Sequence, residues 1–382
     1  MKKILLLLLL IASTATQAQY NIRLVVTSVP SKTNDDIYVA GSFNNWNPKD
    51  ENYKLKPFGG SRKAVIIKDV AAGNYAFKFT RGSFQQVECM ADGRDISDRV
   101  IEVNNDVVLE CSIAGWKDDY PDKPKPYTAS LQVRIIDTAF KIPQLNRTRR
   151  IWIYLPKSYT SSDKTYPVMY MQDGQNLFNE QTAFAGEWGV DECLDTLQKQ
   201  TGKECIIIGI DNGGDKRMSE YAPYPFKNQF DNNKPINAEG KLYVDFLATI
   251  LKPYIDAKYR TKKGVDYTFI AGSSMGGLIS LQAVLQYPQV FGGAGIFSPA
   301  FWTAPQLFTD AAKINLGAAN PKLYFYAGGK ENATMVSNME KMIDVLKKQP
   351  NYIIRSSVSP LNQHNEKAWR AEFPAFYKWI MQ

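Results

Sequence analysis

Two patterns of apolar and polar positions follow one another along the chain. From about residue 20 to 115, short runs alternate or concentrate β-branched and aromatic residues: Ile22 to Val29, Asp36 to Ala40, Ala64 to Lys68, Asn74 to Thr80 and Val107 to Ile113. Gly41, Asn44-Asn45, Gly59-Gly60 and Gly73 separate them. Period-two runs bounded by turn residues predict strands, and a series of them predicts a small all-β, immunoglobulin-like sandwich over residues 19–115. Residues 116–127 break that pattern. Trp116-Lys-Asp-Asp-Tyr-Pro-Asp-Lys-Pro-Lys-Pro126 is crowded with prolines and charges, which predicts an extended linker.

From 128 to 382 the period changes. Apolar runs at Leu131–Ile136, Arg150–Leu155, Val168–Met171, Ile206–Ile210, Tyr267–Ala271, Gly293–Phe297, Leu323–Ala327 and Ile353–Val358 predict strands. Segments of helical period lie between most of them, at Val190–Gln198, Leu242–Tyr254, Met275–Tyr287 and Ser337–Lys348. Strand–helix alternation predicts a parallel sheet covered by helices; the first two strands, with no helix between them, predict an antiparallel pair.

The first eighteen residues differ from both patterns. Lys2 and Lys3 precede an unbroken apolar run, Ile4 to Ile11, and then Thr16-Gln17-Ala18. This predicts a secretory signal over 1–18 and export, to the periplasm or beyond the cell. The apolar run is shorter than the ~20 residues a spanning helix needs, and no other run approaches that length, so no membrane span is expected in the mature chain.

Composition narrows the chemistry. The chain has 382 residues, 44% of them hydrophobic and 22% charged, as a globular protein does. The net charge of +8 is spread without a dense Lys/Arg run, which argues against nucleic acid as a partner. There is one histidine, so a metal site built on two or more imidazoles is excluded. The four cysteines form two local pairs, Cys89/Cys111 and Cys193/Cys205, open to disulfides in an exported chain or to buried thiols.

The informative stretch is Tyr267-Thr-Phe-Ile-Ala-Gly-Ser-Ser-Met-Gly-Gly277. An apolar strand runs into Gly272-Ser273-Ser274-Met275-Gly276, and a helix-forming run follows. This is the nucleophile elbow in its strand–turn–helix context, with Ser274 between the two glycines. The helix N-terminus beside it stabilises developing negative charge. A serine hydroxyl needs a base near neutral pH, and the one imidazole is His364, just past the last predicted strand. The third member is expected after the preceding strand, where Glu331 is the first acid. The Met275 N–H is the first candidate oxyanion donor. The Gln175 N–H, from Met171-Gln-Asp-Gly-Gln-Asn-Leu-Phe178, is the second. Asp173 in that loop reads as a turn-forming residue before Gly174. Trp188, Tyr221 and Trp302 fall in loops after strands, as pocket walls or as packing. Arg217 offers a carboxylate site, or an ion pair with Glu220 or Asp215.

With these residues in hand, 128–382 resembles the Putative esterase (esterase D-like) family, which includes enterochelin esterase and the feruloyl and acetylxylan esterases of carbohydrate esterase family 1. The matching pieces include Tyr170-Met-Gln-Asp-Gly-Gln-Asn-Leu-Phe178, Trp188-Gly-Val-Asp-Glu192, Arg217-Met-Ser-Glu-Tyr-Ala-Pro223, Gly272-Ser-Ser-Met-Gly-Gly277, Ser298-Pro-Ala-Phe-Trp302, Gly329-Lys-Glu331 and His364-Asn-Glu-Lys-Ala-Trp369. The resemblance implies an α/β-hydrolase fold, no cofactor or metal, and hydrolysis of a carboxylic ester; it names no substrate, and the first reading is an acylated carbohydrate or a related small ester. Glu331 stands where many members carry Asp. The earlier stretch, Ile37-Tyr-Val-Ala-Gly-Ser-Phe-Asn-Asn-Trp-Asn-Pro48 with Tyr75-Ala-Phe-Lys-Phe-Thr-Arg-Gly-Ser-Phe84, resembles starch- and glycogen-binding modules of the early-set type. That resemblance implies a glycan surface carrying Trp46 and Phe84, with Phe84 standing where such modules would carry Trp. The rival readings are a glycan-binding protein with an inert hydrolase domain, and an acyltransferase or peptidase on the same fold.

Overall fold

The computed structural model describes residues 19–30, 34–120, 124–229, 231, 233–314 and 316–382. The expected signal at 1–18 lies outside the described residues. The chain divides between Lys123 and Pro124 into two compact units.

In the second unit eight strands form one sheet. They are β1 (Val133–Ile142), β2 (Arg147–Tyr154), β3 (Val168–Gln172), β4 (Ile206–Ile210), β5 (Thr268–Ser273), β6 (Gly293–Phe297), β7 (Lys322–Gly328) and β8 (Ile353–Ser359). Across the sheet they run β1-β2-β4-β3-β5-β6-β7-β8. β2 pairs antiparallel with β1 and with β4, and the remaining pairs are parallel. The central strands are apolar runs because both their faces are covered. Alternate side chains serve the two layers: Tyr170 joins one core, while Met169 and Met171 join the other. The edge strand β8 exposes Arg355 and Ser356, as an unpaired edge tolerates.

The covering helices are α1 (Val190–Thr201), α2 (240–258, continuous through a π turn at Leu247–Leu251), α3 (Met275–Gln286), α4 (Met335–Lys347) and α5 (Glu366–Ile380). The pattern reading did not anticipate α5, whose interior holds Pro374. Its Trp369, Phe373, Phe376 and Ile380 make a buried stripe at helical spacing, and Phe376 packs edge-on to Phe297 of β6. That stripe outweighs the lost backbone bond at Pro374.

The first unit is all-β. One sheet orders Lys56–Pro57, Lys63–Ala71, Gln19–Ser28 and Val107–Ser112; another orders Tyr38–Gly41, Gly73–Thr80 and Arg99–Val103. Ile22, Leu24 and Val65 from the first sheet meet Val39, Phe77, Phe79 and Ile101 from the second in one core. The proposed linker begins too early at 116. Trp116 is buried in this core beneath the Arg81 guanidinium, and Tyr120 donates to the Ala91 carbonyl. Burying an indole outweighs the charged surroundings of the segment.

All four cysteines are thiols. Cys89 and Cys111 sit on strands of different sheets, and Cys193 lies on α1 while Cys205 precedes β4. Burial pushes the Cys193 thiol up to about 12, so it stays protonated and unreactive.

Candidate active site

β5 delivers the chain into a sharp turn, and α3 starts one residue later. Ser274 sits at that corner with φ 58° and ψ −120°, a strained conformation for a non-glycine residue. Its N–H donates to the Phe297 carbonyl, and its own carbonyl accepts from Ala300, so both flanks of the corner are pinned to the end of β6. At Gly272 a Cβ would lie 2.8 Å from the Gly276 backbone, so only glycine lets the turn close. Met275 opens α3, and its N–H has no acceptor within the helix. Ser273 is buried beside the corner.

β7 ends in the loop that carries Glu331, whose side chain is fully buried. Its Oε1 accepts from the Ser298 hydroxyl at 2.6 Å and from the Gly328 N–H at 2.5 Å. Its Oε2 lies 2.7 Å from His364 Nδ1. His364 follows β8 and is 36% exposed at its side chain, so one ring edge faces the carboxylate and part of the ring faces solvent. Trp369 meets the imidazole edge-on at 5.0 Å. The structure thus joins Glu331 to His364; among the described residues no hydrogen bond joins His364 to the Ser274 hydroxyl.

β3 ends in the loop that carries Asp173 and Gln175. Asp173 adopts left-handed backbone angles, and Gly174–Asn176 form a single 3-10 turn against β4. A Cβ on Gly174 would strike the Gly209–Ile210 backbone at 2.8 Å. The Gln175 side chain accepts from the Asn212 N–H, and its carbonyl accepts from Thr182, which fixes this residue in place. Asp173 is more than a turn residue. Its carboxylate takes Arg217 Nε at 2.6 Å and Nη2 at 2.9 Å, plus the Asn212 amide at 2.8 Å. Burial lowers the Arg217 pKa, but the Asp173 charge and bonds outweigh it and the net shift is upward.

Three expectations change here. Arg217 pairs with Asp173, not with Glu220 or Asp215, and so is not a free carboxylate receptor; Glu220 is held by Arg147 and Arg149. Tyr221 is fully buried, with its hydroxyl accepting from the Asp173 N–H and its ring against Tyr243, so it is no pocket wall. Trp188 is 3% exposed and packs on Phe297, Trp369 and Phe373 in the core. These rings after strands are buried because α5 packs on Trp188 and Tyr243 of α2 packs on Tyr221. Trp302 is half-buried against Phe226, with part of its ring accessible. In the first unit Trp46 is half-buried in the turn after Tyr38–Gly41, and Phe84 is exposed.

Sequence reasoning missed Ser298, Trp369 and Glu366. Ser298 has φ 46° and is fully buried, the signal being its place right after β6. Burial, with Asp173 close by, raises the Glu366 carboxyl above its ordinary value against the pull of its own N–H, His364 and Arg217. Two cavities mark the two ends of the sheet. One of about 730 Å³, lined by Lys164, Tyr166, Lys203 and Lys322, opens where parallel strands begin. One of about 620 Å³, lined by Gln175, Phe184, Asp211 and Asn212, opens where β3 and β4 end. The smaller one lies on the side where ligands bind in such sheets.

Residues 142–380 match the family model described as Putative esterase. The chain belongs to this family. Among its relatives is YbbA of Bacillus subtilis, of uncharacterized function. It is 28% identical over 199 residues, covering 51% of this chain and 74% of that one. An endo-1,4-beta-xylanase/feruloyl esterase of Xylanibacter ruminicola is 25% identical over 224 residues, covering 57% of this chain and 27% of that one. The enterobactin esterase FES from Shigella flexneri superposes with a TM-score of 0.54 at 15% identity, covering 90% of this chain and 86% of that one. At that identity the likeness concerns the fold. The family is one of esterases, and the eight-stranded mixed sheet with its elbow after β5 is the α/β-hydrolase architecture. Among the described residues no helix is long and apolar enough to cross a membrane.

Proposed function

We propose that this member of the esterase family is an exported serine hydrolase of carboxylic esters, with Ser274 as nucleophile, His364 as base and Glu331 as the acid that orients the base. The observation that carries the reading is the 2.7 Å contact between His364 Nδ1 and a fully buried Glu331. With Nδ1–H donating to the carboxylate, Nε2 keeps its lone pair and can accept the serine proton. Ser274 Oγ then attacks the ester carbonyl, and the oxyanion forms beside the Met275 and Gln175 N–H groups. The imidazolium, stabilised by Glu331, returns its proton to the departing alcohol, and water repeats the cycle on the acyl-enzyme. No cofactor enters these steps.

The substrate reading is an ester of a carbohydrate or a related small alcohol. The feruloyl esterase relative supports it. Exposed Phe84 and half-buried Trp46 support a glycan surface on the β unit. Export rests on the Lys2-Lys3 and Ile4–Ile11 pattern.

The test is hydrolysis of p-nitrophenyl acetate by the purified chain and its variants. Ser274→Ala is expected to lose on the order of 10⁴-fold or more in kcat, leaving oxyanion stabilisation and binding alone. Ser273→Ala is expected to be far milder. A folded Ser274→Ala enzyme that keeps its activity overturns the assignment. A wild-type chain inert to every ester but retained on a glycan column would instead be a binding protein.

A further inference from the structure

The strained residue at the end of β6 does something that the proposed triad leaves unexplained. Ser298 is fully buried, has a positive φ of 46°, and donates its N–H to the Tyr326 carbonyl of β7 at 2.7 Å. A serine rarely takes such angles without a compensating contact. Here the conformation aims Oγ at Glu331, to which it donates at 2.6 Å, while the same oxygen accepts from Trp369 Nε1 at 2.9 Å. Trp369 in turn presents its ring edge-on to His364 at 5.0 Å. The four side chains close a ring: imidazole, carboxylate, hydroxyl, indole.

We propose that Ser298, braced by Trp369, is the positioning residue of the catalytic base: it holds the Glu331 carboxylate so that Oε2 alone meets His364. The proposal rests on the Ser274–His364–Glu331 reading. A carboxylate has two oxygens and rotates freely unless both are occupied. The Gly328 N–H and the Ser298 hydroxyl occupy Oε1, which leaves Oε2 for the imidazole. Both donors are neutral, so the negative charge needed to stabilise an imidazolium is kept. Trp369 brings a second constraint. Asn365 caps α5 through the Ala368 N–H, so the loop bearing His364 and the helix bearing Trp369 move as one piece. The indole donating to Ser298 also polarises the hydroxyl toward Glu331.

The readout is the imidazole itself, because His364 is the one histidine in the chain. Its ring protons give one titration by NMR in the full-length protein. The charged groups beside it are Glu331 after β7 and Glu366 on α5, and Glu366 in turn feels Asp173 after β3 and Arg217 after β4. All but Glu331 stay in place when Ser298 is changed. With one donor removed, the carboxylate is free to turn from the imidazole, so the imidazolium loses stabilisation and the titration midpoint is expected to fall in Ser298→Ala. The acid limb of kcat/KM should move down with it. On p-nitrophenyl acetate kcat should fall about tenfold to a hundredfold with KM little changed, as for a loss felt in the transition state. Trp369→Phe keeps an aromatic edge against His364 but loses the indole donor, and should give a smaller shift of the same sign.

Ser298→Ala strands a buried indole N–H, so the double variant Ser298→Ala/Trp369→Phe, which removes both partners together, guards against a folding failure. If folded Ser298→Ala and the double variant both titrate as wild type does and keep its kcat, Ser298 is a packing residue and the proposal fails. That outcome is separate from failure of the triad reading. The latter would show as activity surviving Ser274→Ala, whatever the imidazole does.

Discussion

Two loops at the same end of the sheet each bury one carboxylate, and the partners given to each decide what it can do. Asp173, after β3, faces a guanidinium in two-point contact and an asparagine amide. Glu331, after β7, faces a hydroxyl, a backbone N–H and an imidazole. Asp173 stands close to the elbow: a Cβ on Gly276 would lie 3.2 Å from its Oδ2. A full positive charge neutralises Asp173 and spares the neighbouring oxyanion donors an opposing negative charge. Neutral donors leave the Glu331 charge available to the imidazolium. Identity as an acid near the serine therefore says little; the charge state of the partner says most.

The largest expected effect tests that contrast in activity. Glu331→Gln should lower kcat on p-nitrophenyl acetate by on the order of 10⁴-fold, since an amide cannot hold the tautomer or stabilise the imidazolium. Asp173→Asn should cost far less in kcat. If the two losses are equal in folded enzymes, the assignment of roles to the two loops is wrong.

The second effect should appear in stability. Arg217→Met leaves the Asp173 carboxylate buried without its cation, which should cost about 3 kcal/mol in urea unfolding. The double variant with Asp173→Asn should recover part of that loss, because no unpaired charge remains. An additive result would mean that the pair is solvated well enough to be dispensable.

The same contrast explains what could be read from the residues alone. The central strands were legible because parallel strands buried on both faces are unbroken apolar runs, as Ile206–Ile210 is. The elbow was legible because a glycine is forced wherever backbone meets backbone, as at Gly272. Arg99–Val103 was not, since Arg99 shares a face with the buried Ile101 and Val103 while the apolar Val100 is exposed, which breaks the alternation. Glu331 and His364 follow from strand order, which sequence preserves. The partner of Arg217 does not: Asp173 lies on another loop 44 positions away, and nearer acids at 215 and 220 competed on sequence distance. The choice between wall and packing at Trp188 and Tyr221 stayed open for a related reason. A loop after a strand can turn a ring outward or under a helix, and here α5 packs on Trp188 and Tyr243 of α2 on Tyr221. Ser298 carried only its place after β6; its left-handed backbone is visible in three dimensions alone.

A third carboxylate extends the comparison to a group whose neighbour is another carboxylate, and predicts the smallest effect. Glu192 begins α1 next to the fully buried Asp191, and its Oε2 and the Asp191 Oδ1 have no hydrogen-bond partner. Burial, then the neighbouring Asp191 charge, push the Glu192 carboxyl up to about 7. The unfolded chain titrates near ~4.3, so the folded state binds the extra proton between those values. Stability from this group is therefore full below about pH 4 and is lost as pH rises through about 7. Glu192 is only half-buried, and solvent screening holds the loss to on the order of 1 kcal/mol. Glu192→Gln removes the titration, so its stability should equal wild type near pH 4.5 and exceed it at pH 8. Urea unfolding of both proteins at the two pH values measures this. A wild-type curve that stays parallel to that of Glu192→Gln across the range would show that Glu192 has found a partner after all, and would place it with Asp173 rather than apart from both loops.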